Sequence, residues 1–479
     1  MIKVSDLSKT IKTYEKIKFE FNKTQIWIII AVCAALFVWL LPTPEGLTAE
    51  GHRFLALLIS LIILFLTEAL PLPVTMGGAG AMIIMLRIGE LEQVWEAYAH
   101  PVVFFVIGCL MLANIAEQVG LTRRLGNLLL KYCGNNVVKF SFFACYLFGI
   151  ASGFMHDVSA VTLGLMSLLP LMRAAEIKPG SNTGKFLLIS MAFCCSAGGM
   201  GTLAGGGRNM VAVAFLEEFT GIQITFGNWM LHAFPPALLI IPVVWGVVYL
   251  LFRPDKTLRF PTEIMEQGYF NEVLTNQEKI TLIVILLVFV GFLTRGFHKI
   301  DYSVVALLGV FVLTAIGLVK WNKLNKEIPW AVALLIFGGG ISLGRAMDYT
   351  GTAAFMAETF FPLFEGRGWI LLFIGVAIFG SLFSEIMANV ASAALIIPIT
   401  VPIAQMAGIN PAIIALTLGM FTSFAYLMVI GCPPNAIAYS FGYFSTTDFF
   451  KAGIVTEIIA MIILTVIILI WWNVLGIIV

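Results

Sequence analysis

Charge is what this chain has least of. Lys, Arg, Asp and Glu together make 11% of its 479 residues, where a soluble domain carries about 25%. With 60% hydrophobic residues and a mean hydropathy of +0.98, water alone cannot be its solvent. A net charge of +1 supplies no field for nucleic acid. The seven cysteines (Cys33, Cys109, Cys133, Cys145, Cys194, Cys195, Cys432) are scattered, mostly within apolar runs, and form no CxxC pair, which argues against a disulfide framework or a zinc site. The five histidines (His52, His100, His156, His232, His298) are far apart, and neither HExxH nor GxSxG occurs. The usual hydrolytic constellations are therefore missing.

What is present is a series of long apolar runs without period-2 alternation. A bilayer core about 30 Å thick needs roughly 20 apolar residues per helical crossing, and backbone groups inside it must be satisfied by helices or closed barrels. The runs select helices, so the expected class is an all-α polytopic membrane protein. It has about 11 transmembrane helices plus two re-entrant hairpins in inverted repeats, with no enzymatic activity, no resident cofactor and no nucleic-acid partner. Residues 1–24 carry six lysines against three acids and no signal-peptide pattern. They read as a cytoplasmic tail by the positive-inside rule. A first half spans 25–252, a connecting loop 253–279 and a second half 280–479.

Two apolar regions, 137–171 and 369–403, are interrupted at Met155-His156-Asp157 and Met387-Ala388-Asn389. About 13 apolar residues follow each break before Arg173 or Gln405, roughly 20 Å of helix, so both regions read as hairpins that enter and turn back. Two more spans are broken. Region 186–219 contains six glycines between Ala197 and Asn209, and 411–443 contains Pro433-Pro434; glycine weakens a helix by about 1 kcal/mol each, and proline removes a donor and clashes with the preceding turn.

These features recur in order. Gly108, Glu117 and Gly120 match Gly339, Asp348 and Gly351, 231 positions later; Met155-His156-Asp157-Val158 matches Met387-Ala388-Asn389-Val390 at 232; Gly205 and Asn209 match Gly431 and Asn435 at 226. A nearly constant offset marks an internal repeat. Five crossings separate the copies when hairpins count as none, so the copies are inverted. Inverted repeats with interrupted helices are the pattern of secondary transporters, which bind near the midplane.

The run from Thr67-Glu68-Ala69-Leu70 to Pro71-Leu72-Pro73-Val74-Thr75, and above all Gly431-Cys432-Pro433-Pro434-Asn435-Ala436, resemble the divalent anion/sodium symporter family of the ion transporter superfamily. The resemblance covers nearly the whole chain after the tail. It implies secondary transport of di- or tricarboxylates or sulfate by a homodimer that works as an elevator, coupled to sodium, protons or anion exchange. Carried over by position, the substrate site falls on Asn389, Asn435, Asn209, Arg208, Thr202, Val158 and Val390. Ion coupling falls on Asp157, His156, Ser152, Gly201, Ser384, Ala388, Asn389 and Gly431, with sodium at the hairpin tips. The family's tips read Ser-Asn-Thr; here they read His156-Asp157-Val158 and Ala388-Asn389-Val390, so two threonine hydroxyls are replaced by valine. The tips also resemble arsenite and sodium/proton carriers, which form the alternative.

An ionised Asp157 at membrane depth needs a partner. Arg208 standing in for a cation, a sodium ion, or a proton shared with His156 each qualifies, as does a tip open to water. Arg208 also suits carboxylate or sulfate oxygens as a planar donor. Glu68 and Glu385 read as intramembrane acids that anchor helices. A membrane-embedded enzyme would not need inverted repeats, and a channel would show a ring of pore-lining polar residues. Localisation is expected in the inner or plasma membrane.

Overall fold

The computed structural model describes residues 23–67, 69–121, 135–260, 274–328, 330–363, 368–386, 389–429 and 431–476. Ala388, Glu68 and most of the N-terminal tail lie outside the described residues. Within them the regular elements are helices, beside an isolated β-bridge between Asn136 and Arg259. The first half runs α1 (Lys23–Leu40), α2 (Ala49–Thr67), α3 (Leu72–Met85), α4 (Leu91–Tyr98), α5 (Pro101–Gln118), α6 (Val137–Met155), α7 (Asp157–Ala174), α8 (Asn182–Gly198), α9 (Gly207–Thr220) and α10 (Phe226–Phe252). The second runs α11 (Asn276–Leu293), α12 (Tyr302–Ala315), α13 (Trp321–Glu327), α14 (Phe337–Tyr349), α15 (Thr352–Phe360), α16 (Trp369–Ile386), α17 (Asn389–Met406), α18 (Pro411–Phe421), α19 (Pro433–Ser440) and α20 (Thr446–Val474).

Local chemistry sets the helix starts. The Asn136 and Ser181 side chains accept from Lys139 N and Gly184 N to open α6 and α8, and capping boxes at Thr275/Glu278 and Ser445/Asp448 open α11 and α20. Gly221, at φ +69°, ends α9 in the left-handed conformation.

Eight helices among the described residues are long and apolar enough to cross a bilayer. A ninth is counted if Trp321–Glu327 and Val332–Tyr349, bent by 52°, form one span. These eight include α6, α7 and α17. The second arms are thus longer than their apolar runs: α7 and α17 each have 18 residues, about 27 Å. The helix continues through Arg173 and Gln405 because a polar residue in a last turn faces the carbonyl end of the dipole or water and interrupts nothing. Each pair, α6 with α7 and α16 with α17, packs against itself across its break. The first reverses at His156, whose φ of +70° is uncommon for a side chain larger than glycine, though Asn, Asp and His adopt it most readily.

The repeat is visible in three dimensions. Leu72 and Tyr302 open α3 and α12, and Leu91 and Trp321 open α4 and α13, in each case 230 residues apart; α6 and α16, like α7 and α17, start 232 apart, and α9 and α19 start 226 apart. Packing repeats with exchange of partners. A Cβ on Gly108 of α5 would lie 2.6 Å from Ala306 Cβ of α12, and one on Gly339 of α14 would lie 2.8 Å from Met76 Cβ of α3. Each half thus lays a glycine of one helix against the other half's equivalent of α3, as two copies related by a two-fold axis must.

Candidate functional site

Both broken spans are unwound where the repeat places them. After α8 the chain makes one tight turn, Gly199–Gly201, before α9 begins at Gly207. After α18 no helix occurs among the described residues until Pro433. An unwound backbone at this depth must find acceptors and donors elsewhere, and two asparagines solve half of the problem identically. Asn209 Nδ2 donates to the carbonyls of Gly199 (2.9 Å) and Thr202 (2.7 Å). Asn435 Nδ2 donates to those of Ala425 (2.6 Å) and Met428 (3.4 Å). The acceptors stand ten and seven residues before the asparagine in both copies.

The orphan N–H groups of the second break are met by acids. Glu385 accepts from Leu427 N (2.8 Å) and Met428 N (2.9 Å), and Glu457 accepts from Tyr426 N (3.3 Å) and from the Ser381 hydroxyl. Three successive amides are thus held by two buried carboxyl groups from α16 and α20. In the first break, Thr202 Oγ1 donates to the Gly153 carbonyl and accepts from Ala204 N, while Trp229 Nε1 holds the Met200 carbonyl at 3.0 Å.

A cavity of about 820 Å³ lies where the breaks and hairpin tips meet. The first residues of α7, α9, α17 and α19 all reach it: Asp157, Val158 and Ser159; Gly207 and Arg208; Asn389 and Val390; and Pro433, preceded by Gly431 and Cys432. The rest of the lining is mostly apolar, with Leu64, Phe65, Val106, Leu110, Val332 and Ile336, and carries two polar side chains, Asn114 of α5 and Glu327 of α13. His156 lines the cavity too.

Arg208 is 2% exposed and its guanidinium is spoken for on three sides. Nε donates to Ser423 Oγ at 2.7 Å, one terminal nitrogen to Asp157 Oδ2 at 3.0 Å and the other to the Ser196 carbonyl at 3.3 Å. The other Asp157 oxygen meets His156 Nδ1 at 2.9 Å. The same nitrogen caps α7, lying 3.5 Å from Val158 N. Asp157 therefore has both a guanidinium and an imidazole as partners and needs neither water nor a bound ion.

Of the residues singled out in the sequence, the structure brings Arg208, Asp157, His156, Val158, Asn389, Val390 and Gly431 onto one cavity. Asn209, Asn435, Thr202, Ser152, Gly201 and Ser384 are not among its lining residues; Asn209, Asn435 and Thr202 brace the breaks. Ser152 Oγ lies 2.6 Å from the Cys195 carbonyl and 2.7 Å from that of Gly149. Four buried atoms in this shell have no partner: Asn209 Oδ1, Ser384 Oγ, Asn389 Oδ1 and Asn435 Oδ1. Ser423 escaped the sequence reading because an ordinary serine just before a break carries no signal of its own. Glu457 escaped although it lies in the apolar stretch of a 29-residue helix, where an acid beyond the capping Asp448 was the signal.

A family model described as the transmembrane region of sodium:sulfate symporters matches residues 22–478. Among curated relatives, the sodium-dependent dicarboxylate transporter SdcS of Staphylococcus aureus is 26% identical over 498 residues, covering 97% of this chain and 95% of its own. An uncharacterized transporter of Haemophilus influenzae is 25% identical over 439 residues, covering 88% and 92%. Among solved structures, MtrF of Neisseria gonorrhoeae, from a class of antimetabolite efflux pumps, superposes with a TM-score of 0.58 at 14% identity, covering 94% of each chain. The YdaH transporter of Alcanivorax borkumensis gives 0.55 at 12%, covering 89% of this chain and 98% of its own. A match to all but the first 21 residues and the last one is a match to the whole fold: this chain is a membrane transporter, not an enzyme, and belongs to the sodium:sulfate symporter family.

Proposed function

We propose that this chain is a secondary transporter that carries a small divalent anion, a di- or tricarboxylate or sulfate, together with sodium. The observation that carries this reading is the convergence of four helix N-termini and Arg208 on one wall of one cavity. First-turn N–H groups have no intrahelical acceptor, and the positive end of a helix dipole favours an anion. The starts of α9 and α17 supply such N–H groups; α7, whose first two amides are taken by the Gly205 carbonyl and His156 Nδ1, and α19, which opens with two prolines, add their dipoles. The SdcS proteins, named sodium-dependent dicarboxylate transporters, agree in class.

Sodium has a different requirement, oxygens without donors. Ser384 Oγ, Asn389 Oδ1 and Asn435 Oδ1 are buried, neutral and unpartnered, which fits a cation bound behind the second tip. Asp157, engaged on both oxygens, is a poor proton carrier, and this disfavours the sodium/proton antiporter alternative. With the helix tips and Arg208 on one wall and a mostly apolar lining opposite, interrupted by Asn114 and Glu327, the anion can travel with the hairpins past a fixed scaffold, as an elevator working between inverted halves. A homodimer with the lysine-rich tail in the cytoplasm follows from the family resemblance and the positive-inside rule. Purified protein in liposomes should take up labelled succinate, citrate or sulfate in sodium and lose most of that uptake when choline replaces sodium. Uptake indifferent to sodium, or absent for all three, would overturn the proposal.

A further inference from the structure

The two halves share a backbone plan but not a charge plan. The offsets of the repeat set Asp157 on Asn389, Ser152 on Ser384, Asn209 on Asn435 and Arg208 on Pro434. In the second half this leaves three buried oxygens with no donor. In the first half the corresponding serine is bonded, the corresponding carboxylate is saturated by Arg208 and His156, and only Asn209 Oδ1 is free. The guanidinium lies against the unwound glycines. Its terminal nitrogens are 2.9 Å from where a Cβ on Gly199 would stand and 2.7 Å from one on Gly206.

The geometry points to Arg208 as a built-in cation: its guanidinium fills, in the first half, the place that the second half leaves for a mobile ion. The inference rests on the reading of the second half as a sodium site. Two positive charges do not share a buried site with one carboxylate; at about 4 Å, like charges repel by about 4 kcal/mol even at an effective dielectric constant of 20. A free sodium is therefore kept out of the first half, and the carrier couples one ion per anion where two equal halves would take two. Such a pair also has no need to dissolve and reform in each cycle, so the first hairpin stays closed on α9 through Arg208 while the second responds to the ion.

The test compares the wild-type chain with Asp157→Asn/Arg208→Pro, which gives the first half the residues of the second. Proline is tolerated in the first turn of a helix, and α19 already opens with it. Asp157→Asn/Arg208→Ala serves if the first variant does not fold. Equilibrium binding of radioactive sodium to purified protein should give about one ion per wild-type chain and about two per double variant. In liposomes the Hill coefficient for sodium should rise from about one toward two, its ceiling being the number of sites. Two ions on the wild-type chain, or one on both wild type and double variant, would overturn the built-in cation. No sodium on the wild-type chain would overturn the sodium reading of the second half itself.

Discussion

Arg208 and Asp157 can be tested for stability without any knowledge of the cargo. Their side chains are each 3% exposed and meet at 3.0 Å, so breaking the pair strands a charge in a dry site. Removal of one member of a buried pair costs about 3–5 kcal/mol. Arg208→Met should sit at the low end, because the Asp157 carboxylate keeps His156 as a partner. Asp157→Asn should sit higher, because the buried guanidinium is then left with neutral acceptors only, Ser423 Oγ, the Ser196 carbonyl and the new amide. The double variant removes both charges and should cost less than the two singles together by about 2–4 kcal/mol, within the range of coupling measured for close charge pairs. Unfolding by SDS in mixed micelles, followed by tryptophan fluorescence, measures all four corners of the cycle. Losses that add to within about 0.5 kcal/mol, the behaviour of independent sites, would refute the pairing and with it the role given to Arg208.

Asn389→Ala should abolish sodium-stimulated uptake while leaving the elution profile and thermal midpoint near wild type, because the side chain's oxygen has no protein partner to lose and its nitrogen has only a weak thiol acceptor, Cys432 Sγ at 3.5 Å; unchanged uptake would remove Asn389 from the site. Gly198→Ala should do the reverse and destabilise the fold. Its Cβ would stand 1.7 Å from the Gly149 carbonyl, forcing α6 and α8 apart at a cost of about 1–3 kcal/mol or more, and an unchanged thermal midpoint would contradict that close approach.

The fold was largely written in the pattern of apolar runs and their breaks, because lipid permits so few alternatives. Six glycines in one span and two prolines in another mark backbone that cannot remain helical, and the 226–232 offsets tie those marks together before any coordinate is known. The site was legible to the extent that a charge in a bilayer needs a partner: that rule singles out Asp157 and Arg208, but it leaves a sodium ion, a proton or water open beside the ion pair that the structure has. The asparagines were harder. Asn209, Asn435 and Asn389 look alike in sequence, yet two turn their amides toward carbonyls of their own unwound loops and only the third reaches the cavity. Which carbonyls an unwound loop leaves bare depends on its path, and no local pattern records that. The hairpin arms were misjudged for a similar reason. A count of apolar residues stops at Arg173 and Gln405, whereas a helix stops only when its hydrogen bonds do.

The cavity's two unlike walls bear on pharmacology. One wall carries the helix tips and Arg208, while the rest of the lining is mostly apolar (Leu64, Phe65, Val106, Leu110, Val332 and Ile336, beside Asn114 and Glu327), so the proposed small anion would gain little from those apolar side chains. An anion bearing a bulky apolar substituent would be gripped by both, its charged end on the helix tips and its tail buried at about 25 cal/mol per Å². If the proposed elevator operates, such a molecule would bind more tightly than the cargo for the same reason that it could not be released: it would act as a wedge between the surfaces that slide.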